Sequence, residues 1–152
     1  MYKEVVEKLI NRKLTISTAE SITGGLISKM ITDVSGSSNI IKESFVVYSN
    51  ESKISILGVD TSIIDKYGAV SKEVAKDMAV KLKFITGRDL CISTTGNAGP
   101  TICDDKPVGR VYVGINYLDD VTVYELNIDG QREDVRNATA DFVFDKIEEL
   151  IK

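Results

Sequence analysis

Thr18-Ala19-Glu20-Ser21-Ile22-Thr23-Gly24-Gly25 is the stretch on which the reading of this chain turns. It follows a β-branched run, Thr15-Ile16-Ser17-Thr18, and precedes an apolar helical pattern of Leu26, Ile27, Met30 and Ile31. A strand, a tight polar turn and a helix start therefore meet in quick succession. The adjacent glycines let the backbone approach whatever lies outside the turn. The N–H groups of the helix's first turn are expected to point at the same place, where the helix dipole favours negative charge. Ser21 and Thr23 set hydroxyls at its edge. An ordinary helix N-cap accounts for the same residues equally well.

Outward from this stretch, residues 3–12 read as an amphipathic helix with Val5, Val6, Leu9 and Ile10 on one side. After the helix to about Thr32, Ser35-Gly36-Ser37-Ser38 reads as a loop or second cap, small enough to admit a ligand. Glu43–Tyr48 reads as a strand buried in its middle, and Ser49-Asn50 turns into a short helix ending at Leu57-Gly58. Asp60-Thr61 caps a small helix that Gly68 ends. Ser71 starts a longer one, with Val74, Met78, Leu82 and Ile85 as its inward stripe. Asp89–Ser93 is a further strand, running into the small-residue loop Thr94–Pro100. Beyond Lys106-Pro107 the alternation of Val111, Val113, Ile115 and Tyr117, a turn at Asp119-Asp120 and a return over Val121–Ile128 predict a hairpin. A final helix carries Val135, Phe142, Val143, Ile147 and Leu150 inward. Early alternation of strand and helix, followed by a hairpin, predicts a single α/β domain over 1–152 with a mixed sheet between helix layers. Ligands of such sheets gather at strand ends, where three of these polar loops follow three strands.

Composition sets the limits. The chain has 152 residues, 43% apolar and 28% charged, as an ordinary globular domain does. A net charge of −4 argues against a nucleic-acid surface but leaves room for a small anionic ligand at a locally positive site. No apolar run approaches a membrane span, and the first residues lack a signal-peptide pattern, so a cytoplasmic location is expected. The chain contains no histidine, which removes Ser-His and Cys-His catalysis and the commonest transition-metal ligand. A base for nucleophilic chemistry must then be lysine, a carboxylate or water. Cys91 reads as a small buried residue and Cys103 as a loop residue, with a redox role the weaker reading for both.

Taken together the motifs resemble the C-terminal domain of the competence/damage-inducible protein CinA, a family that includes stand-alone nicotinamide-mononucleotide amidohydrolases. The residues that carry the resemblance are Thr18–Gly25, Gly36–Ser38, Tyr48-Ser49-Asn50 with Lys53, Leu57–Val59 and Gly68–Ser71, then Thr95-Gly96, Ala98–Pro100, Lys106–Gly109, and Gly130 with Arg132 and Arg136. They span nearly the whole chain in the family's order. The resemblance implies a three-layer α/β/α sandwich and hydrolysis of the carboxamide of nicotinamide mononucleotide, without metal or cofactor. It implies Ser21 as nucleophile and Lys53 as its base, with Thr23, Gly24, Ser37, Tyr48, Asn50, Thr95, Gly96, Arg132 and Arg136 on the substrate. Three departures fall in loops: Asn97 for a usually apolar residue, Thr101-Ile102-Cys103-Asp104 for an acidic glycine-rich turn, and Gln131 for an aspartate. A non-catalytic nucleotide- or phosphate-binding module of the same fold is the rival reading.

For Lys53 to act as a base, its pKa must fall from about 10.4 toward about 7, a cost of roughly 4–5 kcal/mol. Burial and a nearby arginine are the expected sources, and Glu20 must point away or be held by backbone donors. The N–H groups of Ile22 to Gly25 are the expected oxyanion donors. An exposed hairpin edge makes a homo-oligomer the expected assembly.

Overall fold

The computed structural model describes residues 1–152. β1 (Ile16–Glu20), β2 (Ile41–Val46), β3 (Leu90–Gly96), β4 (Arg110–Tyr117) and β5 (Asp120–Asn127) form one sheet in the order β2-β1-β3-β4-β5. β1 lies parallel to both β2 and β3, whereas β4 and β5 run antiparallel. Helices α1 (Tyr2–Arg12), α2 (Leu26–Thr32) and α6 (Arg132–Leu150) cover one face. The short α3 (Asn50–Ser52), which continues as a π-helical turn over Lys53–Leu57, and α4 (Thr61–Tyr67) and α5 (Lys72–Thr86) cover the other. This is the three-layer α/β/α sandwich with a mixed sheet. No helix is long and apolar enough to cross a membrane.

Two layers of helices explain why every residue of β1 is buried. Ile16, Leu90 and Ile92 face the α1/α2/α6 core, while Ala19 and Cys91 face the core under α5. On α5, Val74, Met78 and Leu82 are buried but Ile85 is 46% exposed. The inward position after Leu82 belongs instead to Thr86, four residues on, whose hydroxyl donates to the Leu82 carbonyl and pairs with Ser17. The second strand also differs from its expected position. It runs over Ile41–Val46 and alternates half-buried with exposed residues, because it is an edge strand with one partner. The hairpin turn lies one residue earlier than its acidic pair implies: Leu118 and Asp119 both have positive φ, and Tyr117 pairs with Asp120.

β4 approaches α5 closely. Ser93 Oγ donates to the Ala75 carbonyl at 2.7 Å, and a Cβ on Gly114 would stand 2.4 Å from that Oγ and 2.6 Å from that carbonyl oxygen. Gly114→Ala is therefore expected to cost about 1–3 kcal/mol in urea denaturation; an unchanged midpoint would show that α5 is not seated on this strand.

Candidate active site

Because β1, β2 and β3 are parallel, the segments that follow them emerge at one end of the sheet. There the Ser21 turn, the Val47–Lys53 segment and the loop after Gly96 enclose a cavity of about 360 Å³. Ser21, Ile22, Tyr48, Asn50, Lys53, Thr95, Gly96, Asn97 and Arg132 line it, with Ala69, Val70 and Ala98–Cys103 completing the wall. Lys53 and Arg132 are the cations among the lining residues, and no carboxylate is among them.

Lys53 begins the π-helical turn, a rare form that recurs at functional sites. The Ser49/Ser52 capping box starts α3 just before it, and Gly58 ends the turn in the left-handed region. The lysine is only 2% exposed. Its Nζ donates to Ser21 Oγ at 3.0 Å and to the Val47 carbonyl at 3.2 Å. It takes part in no salt bridge. Burial lowers its pKa from 10.5 to about 8, against the opposing pull of Asp104 and Cys103. The expected arginine plays no part; desolvation alone carries the shift.

Glu20 is 1% exposed and turns away from Lys53. Its Oε1 accepts from the Ile27 N–H and the Thr23 hydroxyl, both at 2.8 Å. Its Oε2 accepts from the Ser28 N–H at 2.9 Å and from Thr18 Oγ1 at 3.0 Å. The carboxylate thus occupies the N-terminus of α2, the place the sequence reading left free for a ligand. In the turn itself Gly24 N–H donates to the Ser21 carbonyl and Ser21 N–H to the Thr94 carbonyl, while the N–H groups of Ile22, Thr23 and Gly25 have no acceptor.

Of the residues named from the sequence, Ser21, Lys53, Tyr48, Asn50, Thr95, Gly96 and Arg132 meet around the cavity. The other four do not. Ser37 sits in a 3₁₀ turn (Ser37–Asn39) that precedes β2, at the amino ends of the parallel strands, the opposite end of the sheet. Thr23 is fully buried, its hydroxyl between Glu20 and Thr94 Oγ1. Gly24 packs on Arg136, whose guanidinium is bound to the backbone of the turn. Arg132 Nη1 donates to the Gly99 carbonyl at 2.8 Å, and its Nη2 to the Tyr48 hydroxyl across the cavity mouth. The Val47 carbonyl carries no sequence signal; the wall at Ala69-Val70 lies in a motif of the resemblance to which no site role was attached, and the Ile22 N–H is among the expected oxyanion donors. Glu20 did carry one, a charge at the end of a buried strand. Both cysteines are free, Cys91 buried and Cys103 exposed. No group of three or more Cys, Asp or Glu side chains is arranged to hold a metal ion.

The model of the CinA C-terminal domain matches residues 1–151. The chain belongs to this family. It is 48% identical over 139 residues, 90% of its length, to a protein of Thermoanaerobacter sp. (strain X514) named "Putative competence-damage inducible protein". A CinA-like protein of Petrotoga mobilis is 40% identical over 145 residues, 95% of this chain. The chain spans about a third of the length of these relatives, 34% and 36%. Among solved structures, the competence/damage inducible protein CihA of Agrobacterium tumefaciens superposes with a TM-score of 0.92 at 32% identity, over 99% of this chain and 96% of that one.

The folded pKa of Lys53 lies below its unfolded value, so unfolding takes up a proton between about pH 8 and 10.5. Stability relative to Lys53→Met is expected to be flat below pH 8 and to rise by up to about 3 kcal/mol from there to pH 10.5, in urea titrations at each pH. Parallel curves over this range would mean that the buried amine is not desolvated.

Proposed function

We propose that this domain is a Ser-Lys amidohydrolase that hydrolyses the carboxamide of nicotinamide mononucleotide to nicotinic acid mononucleotide and ammonia, in cytoplasmic pyridine-nucleotide recycling. The observation that carries the reading is a buried lysine, without a carboxylate partner and depressed to about 8, 3.0 Å from a serine hydroxyl at a cavity wall. As a neutral amine Lys53 still donates to the Val47 carbonyl and turns its lone pair to the Ser21 O–H. It takes that proton as Oγ attacks the amide carbon. The oxygen of the tetrahedral intermediate gains the unpartnered Ile22 N–H. Collapse breaks the C–N bond, and the Lys53 ammonium returns its proton to the departing nitrogen, releasing ammonia. Water then attacks the acyl-enzyme, with Lys53 again as base, and the carboxylate leaves.

The absence of carboxylates from the wall and the placement of Arg132 at the mouth suit an anionic substrate. Two of the five Arg132 N–H groups are engaged with Gly99 and Tyr48, so the rest remain for a phosphate. The cavity volume falls within the range of small-ligand pockets. The open β5 edge, with its alternate residues exposed, supports association into a homo-oligomer.

The test is ammonia release from nicotinamide mononucleotide by the wild type, Ser21→Ala and Lys53→Met. Both variants are expected to lose at least about 10³-fold in kcat. For the wild type, kcat/KM is expected to rise about tenfold per pH unit below pH 8 and to level above it, since only the neutral amine is a base. Equal rates for all three proteins would overturn the dyad. Thermal stabilisation by the nucleotide without product would replace hydrolysis by the binding-module reading.

A further inference from the structure

The same resemblance that paired Arg132 and Arg136 as substrate ligands gives no reason to separate them. They lie one turn apart on α6, yet the fold uses them differently. Arg132 lines the cavity; Arg136 does not. Arg136 Nε donates to the Ile22 carbonyl at 3.2 Å and its Nη2 to the Thr23 carbonyl at 3.3 Å. It takes part in no salt bridge. Its charge is committed to the backbone of the turn that follows the nucleophile. A Cβ on Gly24 would stand 2.8 Å from Nη2, so the glycine is what allows the guanidinium to lie against this turn.

In a trans peptide the C=O and the N–H point in opposite directions. The Thr23 carbonyl, which Arg136 shares with the Leu26 N–H of the first turn of α2, therefore directs the Gly24 N–H back into the turn, where it donates to the Ser21 carbonyl at 3.1 Å. With the Ser21 carbonyl so held, the N–H of the same peptide group, that of Ile22, points the other way. It has no acceptor, and Ile22 lines the cavity beside Ser21. Arg136 thus acts on the Ile22 N–H through two peptide groups and the hydrogen bond between them. A cation on the first carbonyl polarises that series in the direction that strengthens the last donor. Glu20 holds the same turn from its other side by capping α2.

We infer that Arg136 is a positioning residue for catalysis, fixing and polarising the Ile22 N–H as oxyanion donor, and is not a substrate ligand. The inference rests on the amidohydrolase reading of the site. Arg136→Gln is expected to lower kcat about 10- to 100-fold, with KM changed less than about twofold. The midpoint of the pH profile should stay in place, because Arg136 is not among the groups that shift Lys53. Arg136→Lys, which keeps the charge but not the fork, should recover only part of kcat. Arg132→Gln should instead raise KM. A raised KM with intact kcat in Arg136→Gln, or unchanged kinetics, would overturn the inference.

A wild type without amidase activity would overturn the functional reading alone. The positioning claim is then decided by amide hydrogen exchange. The Gly24 N–H is expected to exchange roughly tenfold faster in Arg136→Gln while the β1 and β3 amides keep their protection. Equal Gly24 rates would sink it, and retained strand protection shows that the variant is folded.

Discussion

An amine removed from water with only two oxygen partners is the constraint on which the rest of this site depends. Lys53 touches Ser21 Oγ and the Val47 carbonyl and meets no carboxylate. A charged lysine in such a place is costly, and the native structure answers by bringing its neutral form within reach of ordinary pH. The cost is borne by the two cores on either side of the sheet, which order β1 and β2 irrespective of the lysine. Strongly perturbed ionisable groups of this kind cluster at functional sites.

The serine turn shows how charge is kept away from that amine. Glu20 is the carboxylate closest in sequence to Ser21, and its charge would hold Lys53 protonated if the two faced one another. Four donors, two of them at the N-terminus of α2, draw it to the opposite side. The helix dipole therefore serves the protein's own carboxylate, and the N–H groups left without an acceptor are those of the turn. Arg136 engages the outward carbonyls of that same turn. Acid and base are both present around Ser21, each held where it leaves the lysine's charge balance alone.

The loop after β3, where the chain departs from the family pattern, builds the facing wall. Asn97 is 4% exposed and bonds through Oδ1 to the Gly99 N–H and through Nδ2 to the Lys106 carbonyl. Asp104, with positive φ, accepts from the Val70 N–H, and Lys106 Nζ donates to the Val70 carbonyl. A polar residue in a usually apolar place is accommodated because both halves of its amide find backbone partners. These contacts tie the loop to the α4–α5 junction across the cavity, so the departures serve the wall itself.

Periodicity and capping residues made most of the elements legible: the stripe of Val74, Met78 and Leu82, the caps at Ser49, Asp60 and Ser71, and the alternation of β4. Their errors were local. The place of Ile85 was taken by Thr86, and the hairpin turn moved by one residue, because packing and φ angles choose among neighbours that sequence spacing treats alike. At the site, Ser21 and Lys53 were readable as a pair only through the resemblance, since a lysine in a polar helix start looks solvated. Thr23, Gly24 and Arg136 sit in the same motifs as cavity residues and Ser37 in a motif of its own, yet none of the four reaches the cavity. What the sequence alone determined was the set of elements and the chemical groups on hand, for these follow from local periodicity and residue type. Which groups meet was decided by the tertiary structure: parallel pairing carries the ends of β1, β2 and β3 to one edge, leaves the turn before β2 at the other, and sets one of two arginines on backbone and the other at the cavity mouth.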